Sequence, residues 1–170
     1  MARKVSLRDF QQALVQRLNE AHASEAVSAR LGVQVGDELW LIRLDEAGEV
    51  VPPPTIAAVP LTRNWFRGLT NIRGNLYTVV DLAAFHGGEP TPQTADTRLL
   101  LVSERYGMNS ALLVHRMLGI RHIQQFQMQQ PSSDRRPWEA ARYLDEEGKV
   151  WRELEMSALV YHNDFLQSAA

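Results

Sequence analysis

The chain has 170 residues, 45% hydrophobic and 22% charged, with 18 basic against 20 acidic side chains and a net charge of −2. This length suits one domain or two small units sharing a core, and the composition argues against wholesale disorder. The charge balance gives no electrostatic case for nucleic acid or an anionic membrane surface, and the absence of cysteine excludes disulfides and thiolate metal sites.

The first segment reads as a helix. Ser6 is placed to cap it, with Asp9 three residues on as an incomplete capping box. Leu7, Phe10, Leu14, Leu18 and Ala21 fall on one stripe at helical spacing. The stripe is expected to pack on the protein's own body, with docking of a partner as the alternative. Arg3, Lys4 and Arg8 precede no apolar stretch of signal-peptide type, and no apolar run approaches the roughly 20 residues needed to span a bilayer. With no cysteine, these features fit a soluble protein of the reducing cytoplasm.

Val27, Ala29, Leu31, Val33 and Val35 alternate as a half-buried strand does. Gly36-Asp37 makes a two-residue hairpin turn, and residues 38–44 return as a more continuously apolar strand. Residues 45–48 turn into Glu49-Val50-Val51, after which Pro52-Pro53-Pro54 cannot continue a hydrogen-bonded ladder. Residues 61–82, LTRNWFRGLTNIRGNLYTVVDL, bury a run marked by Trp65, Phe66 and Leu69. They turn at Gly68 and Gly74 and end in a strand over 76–82. Arg73 directly precedes Gly74, so a turn that glycine fixes presents it rigidly. Residues 86–96 read as a loop between two halves, and residues 99–102 and 110–115 as a second hairpin. Residues 117–123 form a further strand, and Phe126 and Met128 alternate briefly. Residues 129–137 read as a polar loop, and Tyr143-Leu144 with residues 150–154 as a third hairpin. A short helix closes the chain, with Ser157 at its cap and Met156, Leu159, Val160 and Leu166 turned inward. Short strands, hairpin turns and terminal helices predict a mainly β architecture of small barrels.

Catalytic signals are missing: there is no nucleophile elbow, P-loop or dinucleotide fingerprint. His22, His86, His115, His122 and His162 lack ligand-like spacing, so no metal site is expected. Asp81 reads as a turn or cap acceptor, because no second titratable group stands near it in sequence to share acid–base work.

Pro60, Trp65-Phe66, Gly68-Leu69, Asn71-Ile72, Arg73-Gly74 and Val80-Asp81-Leu82 together resemble the signature of the CheW family, the adaptors of bacterial chemosensory arrays. Glu49-Val50 matches the family's upstream glutamate and apolar residue, 24 positions before Arg73. The resemblance implies two five-stranded Src-homology-3-like barrels packed together over residues 25–170, behind a helical extension over 1–24. It implies a non-catalytic adaptor without cofactor that couples the cytoplasmic tip of a chemoreceptor to a CheA-type histidine kinase. Contact with the membrane would be indirect, through receptors. Arg73, Glu49, Val50 and Gly68 would bind the receptor, with Gly74 as a structural turn. Two departures stand out. Leu112-Leu113-Val114-His115 carries histidine where the family usually has an acid, so that acid's contacts cannot be carried over. The N-terminal helix is longer than a minimal adaptor needs, similar to adaptors of pilus-linked (twitching-motility) systems. A small-barrel nucleic-acid binder is the competing reading, disfavoured by the acidic balance and by the lack of an aromatic-plus-basic sheet face.

Overall fold

A computed structural model describes residues 7–169 of the chain. The expected cap at Ser6 lies outside the described residues. Helix α1 (Leu7–Ser28) runs into strand β1 (Ala29–Val35) without a loop, so Val27 belongs to the helix and not to the strand. Residues 11–25 are exposed, with Leu14 at 49% and Leu18 at 51%. For Leu14, Leu18 and Ala21 the expected packing on the protein's own body is therefore not found. No turn between helix and strand folds it back over the rest of the chain.

β1 and β2 (Glu38–Arg43) form the first hairpin, and Gly36 takes a left-handed φ of 59° in its turn. β3 (Ala47–Val51), β4 (Phe66–Ile72), β5 (Asn75–Asp81), the single-turn α2 (Leu82–Phe85), β6 (Arg98–Val102) and β7 (Ser110–Val114) follow. Next come β8 (Arg116–His122), β9 (Gln127–Met128), β10 (Glu139–Leu144) and β11 (Val150–Leu154), and then α3 (Met156–Val160) and α4 (Asn163–Leu166). Two sheets result, in the orders β8-β1-β2-β11-β10-β9 and β3-β6-β7-β5-β4.

Each sheet curls back on itself. In the first, the edge strands β8 and β9 are joined by one 3-10 turn, Ile123–Gln125. In the second, the chain beyond β3 returns to β4, where Ala57 and Leu69 exchange backbone hydrogen bonds of 2.8 and 2.9 Å. The architecture is thus mainly β with two small barrels, the two-residue β9 adding a sixth strand to the first.

The chain order of the barrels differs from the expected one. Residues 86–96 do not separate two halves; they lie within the second barrel, between α2 and β6. β5 pairs with β7 in parallel, and parallel neighbours need a crossover, which α2, this loop and β6 supply. The first barrel is assembled from both ends of the chain, because β2 pairs in parallel with β11.

This arrangement explains the apolar runs that lack alternation. Leu99, Leu101, Ala111 and Leu113 point into the second barrel, while Leu100, Val102, Leu112 and Val114 point into a core shared by both barrels. In β2, Leu41 faces the first barrel's interior, and Trp40 and Ile42 face the shared core. Strands buried on both faces read as continuous apolar runs although their side chains still alternate. Two expectations at the C-terminus are corrected. Glu155, not Ser157, is the N-cap residue of α3. Leu166 is 57% exposed, and Phe165 at 7% is the residue turned inward.

Candidate functional site

The β4–β5 hairpin pairs Ile72 with Asn75, leaving a two-residue loop of Arg73 (φ 52°) and Gly74 (φ 85°). Positive φ at both positions is the geometry of the tight hairpin turn whose twist matches its strands. The Asn71 carboxamide oxygen accepts the Gly74 N–H at 2.9 Å and braces the turn. Arg73 is a non-glycine residue held in the left-handed region, a conformation seldom kept without a structural or functional reason.

From this turn Arg73 donates to Glu49 through both ends of its fork, Nη1 to Oε2 at 2.6 Å and Nη2 to Oε1 at 2.5 Å. The side chains are 74% and 40% exposed, so the pair adds little to stability. Its effect is orientation: Glu49 fixes the plane of the guanidinium and leaves its other N–H groups facing outward. A cleft of about 180 Å³ lies beside the pair, lined by Gly48, Glu49, Ile72, Arg73, Tyr77 and Glu104 among others.

The other two residues named for this site stand differently. Val50 is half-buried and packs against the shared core. Gly68 is buried four residues back along β4, with φ 126°, where a β-carbon would lie 2.0 Å from the Ala57 carbonyl oxygen. Its place in the fold is set by backbone approach.

A cluster that sequence reasoning missed adjoins the cleft at Glu104. Arg105 donates to Asp45 at 2.8 Å, to the buried Glu46 at 3.3 Å and to the Tyr106 hydroxyl at 3.1 Å. Glu46 also accepts the Tyr106 O–H at 3.2 Å, and Tyr161 stands edge-on to Tyr106. These residues tie the turn after β2 to the turn after β6, across the seam between the barrels. No local pattern marks them, since Asp45 and Arg105 are 60 residues apart.

The carboxylate of Asp81 is buried and accepts from Thr91 N–H and Oγ1–H at 2.7 Å each, from Arg67 at 3.0 Å and from Ala84 N–H at 3.4 Å. It is the cap acceptor expected of it. His115 sits at the crossing from β7 to β8, where its Nδ1 accepts the Gly36 N–H at 2.9 Å. An imidazole nitrogen there supplies one acceptor, as an aspartate could. Among the described residues no three histidine or carboxylate side chains are grouped to hold a metal ion, and no helix is long and apolar enough to cross a membrane.

A second charged cluster pins the 129–138 loop to the barrels. Glu38 accepts both arms of Arg136 at 3.0–3.1 Å and the Trp40 indole at 3.1 Å, with His86 Nδ1 3.6 Å away. The Trp138 indole donates to His86 Nε2 at 2.9 Å. Burial opposes the charge on Glu38, yet the His86 ring nitrogen 3.6 Å away and the hydrogen bonds from Arg136 outweigh it and hold the carboxyl down at about 2. Burial pushes His86 below its ordinary 6.5, against the pull of Glu38. Both groups therefore take up protons more readily in the unfolded chain, and both destabilise the fold as pH falls. The loss begins below about 6.5 with His86 and continues through the Glu38 range, from 4.5 toward about 2. Urea midpoints measured from neutral pH down to about pH 5 should fall, and should fall less in His86→Gln, whose amide oxygen still accepts from Trp138.

A family model described as CheW-like domain matches residues 30–164, which take in both barrels. The chain belongs to the CheW-like family. Among its relatives, Protein PilI of Pseudomonas aeruginosa is 30% identical over 146 residues, covering 82% of this chain and 79% of that one. The Chemotaxis protein CheW of Helicobacter pylori is 34% identical over 95 residues, covering 52% and 58%. In fold, the chain is similar to the scaffolding protein TtCheW from Thermoanaerobacter tengcongensis, with a TM-score of 0.63 at 19% identity over 75% of this chain and 88% of that structure. The CheW-like family is one of scaffolds and adaptors, and the Arg73 hairpin lies within the matched region. Helix α1 precedes that region.

Proposed function

We propose that the chain is a non-catalytic adaptor of a cytoplasmic chemosensory array, coupling the tip of a chemoreceptor to a CheA-type histidine kinase. The observation that carries the reading is the exposed Arg73 guanidinium, mounted on a strained two-residue turn and held in plane by Glu49. A recognition arginine needs that combination: fixed direction, free donors and little role in stability. Val50 and Gly68 shape the same region from beneath, through the shared core and the closure of the second barrel. The PilI relative and the helix ahead of the matched region favour control of type IV pili over flagella.

A coupler must bind its two partners at different surfaces, since one patch used for both could only exchange them. With the kinase's regulatory domain at saturation and receptor tip titrated in, a ternary complex is the expected result in analytical ultracentrifugation. Stoichiometric displacement of the kinase by the receptor would refute the coupling mechanism even if each pairwise interaction proved real.

A further inference from the structure

The first barrel is open at one end. There Leu39, Leu118, Phe126 and Trp151 of its interior line a groove of about 390 Å³, and Arg121 lines it with them. Gly32 makes room for this arrangement: a β-carbon there would meet the Trp151 ring at 3.2 Å and the Arg121 stem at 3.3 Å. The Arg121 guanidinium stands 5.5 Å from the centre of the Trp151 ring.

Arg121 has no carboxylate of its own. Across the β1–β8 ladder it is paired with Arg30, and side chains at paired positions share a face. The carboxylate that serves Arg30 is Glu153, which accepts Arg30 Nε at 2.6 Å and the Tyr143 hydroxyl at 3.0 Å. Among the described residues Arg121 makes no ion pair, and its buried Nε finds no acceptor. A buried N–H donor left without an acceptor is costly.

The other charges around the groove are engaged or face solvent. Asp145 accepts the Trp151 indole and the N–H groups of Glu147 and Lys149, each at 2.9 Å. Lys149 pairs with Glu147, and Arg116 donates to Gln34 at 2.7 Å. Glu146 is exposed on the hairpin turn. The open valence in the groove thus belongs to Arg121, with apolar side chains beside it.

We propose that this barrel mouth is a docking surface for an acidic loop of a partner protein, whose aspartate or glutamate pairs with Arg121 while a neighbouring apolar side chain lies on Leu118 and Phe126. The surface is separate from the Arg73 hairpin, and the inference stands whether or not Arg73 binds a receptor. A carboxylate meeting a partly desolvated guanidinium gains a charge-assisted hydrogen bond and completes a site the chain leaves incomplete.

The test is an NMR titration of the full chain with acetyl-Phe-Glu-amide and, in parallel, acetyl-Phe-Gln-amide. The reporters are the Arg121 Nε–H, which burial protects from exchange, and the Trp151 indole N–H. The glutamyl peptide should move both signals and bind about tenfold or more tightly than the glutaminyl peptide. R121Q should abolish that preference, and R121K should keep part of it, since charge survives without the fork. A urea midpoint of the unliganded variants close to that of the wild-type chain confirms an intact barrel. Equal affinity for the two peptides, no shift with either, or an unchanged preference in R121Q would each overturn the proposal. The two-peptide comparison on the wild-type chain decides the matter even if a variant fails to fold.

Discussion

Gly68→Ala is expected to cost the fold about 3 kcal/mol or more, since of the chain's glycines it is the one where an added β-carbon meets the closest atom. Two penalties coincide at this position. The φ of 126° is one that side chains rarely adopt, and an added β-carbon would sit 2.0 Å from the Ala57 oxygen and 2.7 Å from its carbonyl carbon. Both offending atoms are backbone, so no rotamer change relieves the clash. Ala57 would have to retreat, and the Ala57–Leu69 hydrogen bonds that bring the second barrel back onto β4 would go with it. Gly74 provides the contrast: its φ is 85°, but a β-carbon there meets nothing within 4 Å. Gly74→Ala should therefore carry the backbone penalty alone, about 1 kcal/mol, with Gly74→Val somewhat more costly. Urea denaturation of wild type and the variants at one pH measures the difference. If Gly68→Ala and Gly74→Ala prove equally mild, closure of the barrel through Ala57 contributes little to its stability.

The contrast between these two glycines also shows where sequence reasoning reached and where it stopped. Gly74 was legible because Arg73-Gly74 falls between two β-prone runs, and a two-residue loop permits few backbone geometries. The family pattern assigned Glu49 and Arg73 to one site, and the structure joins them in an ion pair. The partner that makes Gly68 obligatory lies beyond three consecutive prolines, in an irregular segment whose path no periodicity fixes. The same difficulty hid the barrel order. The parallel pairings β2–β11 and β5–β7 join segments distant in sequence, and apolar runs buried on both faces give no alternation to say which face meets which core. Helix α1 failed for another reason. An apolar stripe such as Leu14 and Leu18 signals that something should cover it, without saying that the cover belongs to the same chain. The Arg105 cluster and the unpaired Arg121 depend on cross-strand and seam contacts, which exist only once the barrels are closed.

Arg73→Glu should weaken binding of a receptor tip by about 2 kcal/mol or more, roughly a thirtyfold rise in Kd, while leaving the urea midpoint nearly unchanged. The fold should tolerate the change because the pair is exposed and contributes little to stability. Glutamate also has a β-carbon, so the left-handed turn is strained no more than before. Binding should suffer because the outward N–H donors are replaced by a carboxylate, which the neighbouring Glu49 repels toward the incoming partner. A compensating exchange separates recognition from local structure. Adding Glu49→Arg restores an ion pair of opposite polarity across the same cleft and should relieve any strain from the like-charged pair. If Arg73 merely orders the hairpin, the double variant should regain receptor affinity. If its guanidinium contacts the receptor, affinity should stay low, because the cation now projects from β3 rather than from the turn. Calorimetric titration of the three proteins against one receptor fragment distinguishes these outcomes, and wild-type affinity in Arg73→Glu would remove this residue from the receptor surface altogether.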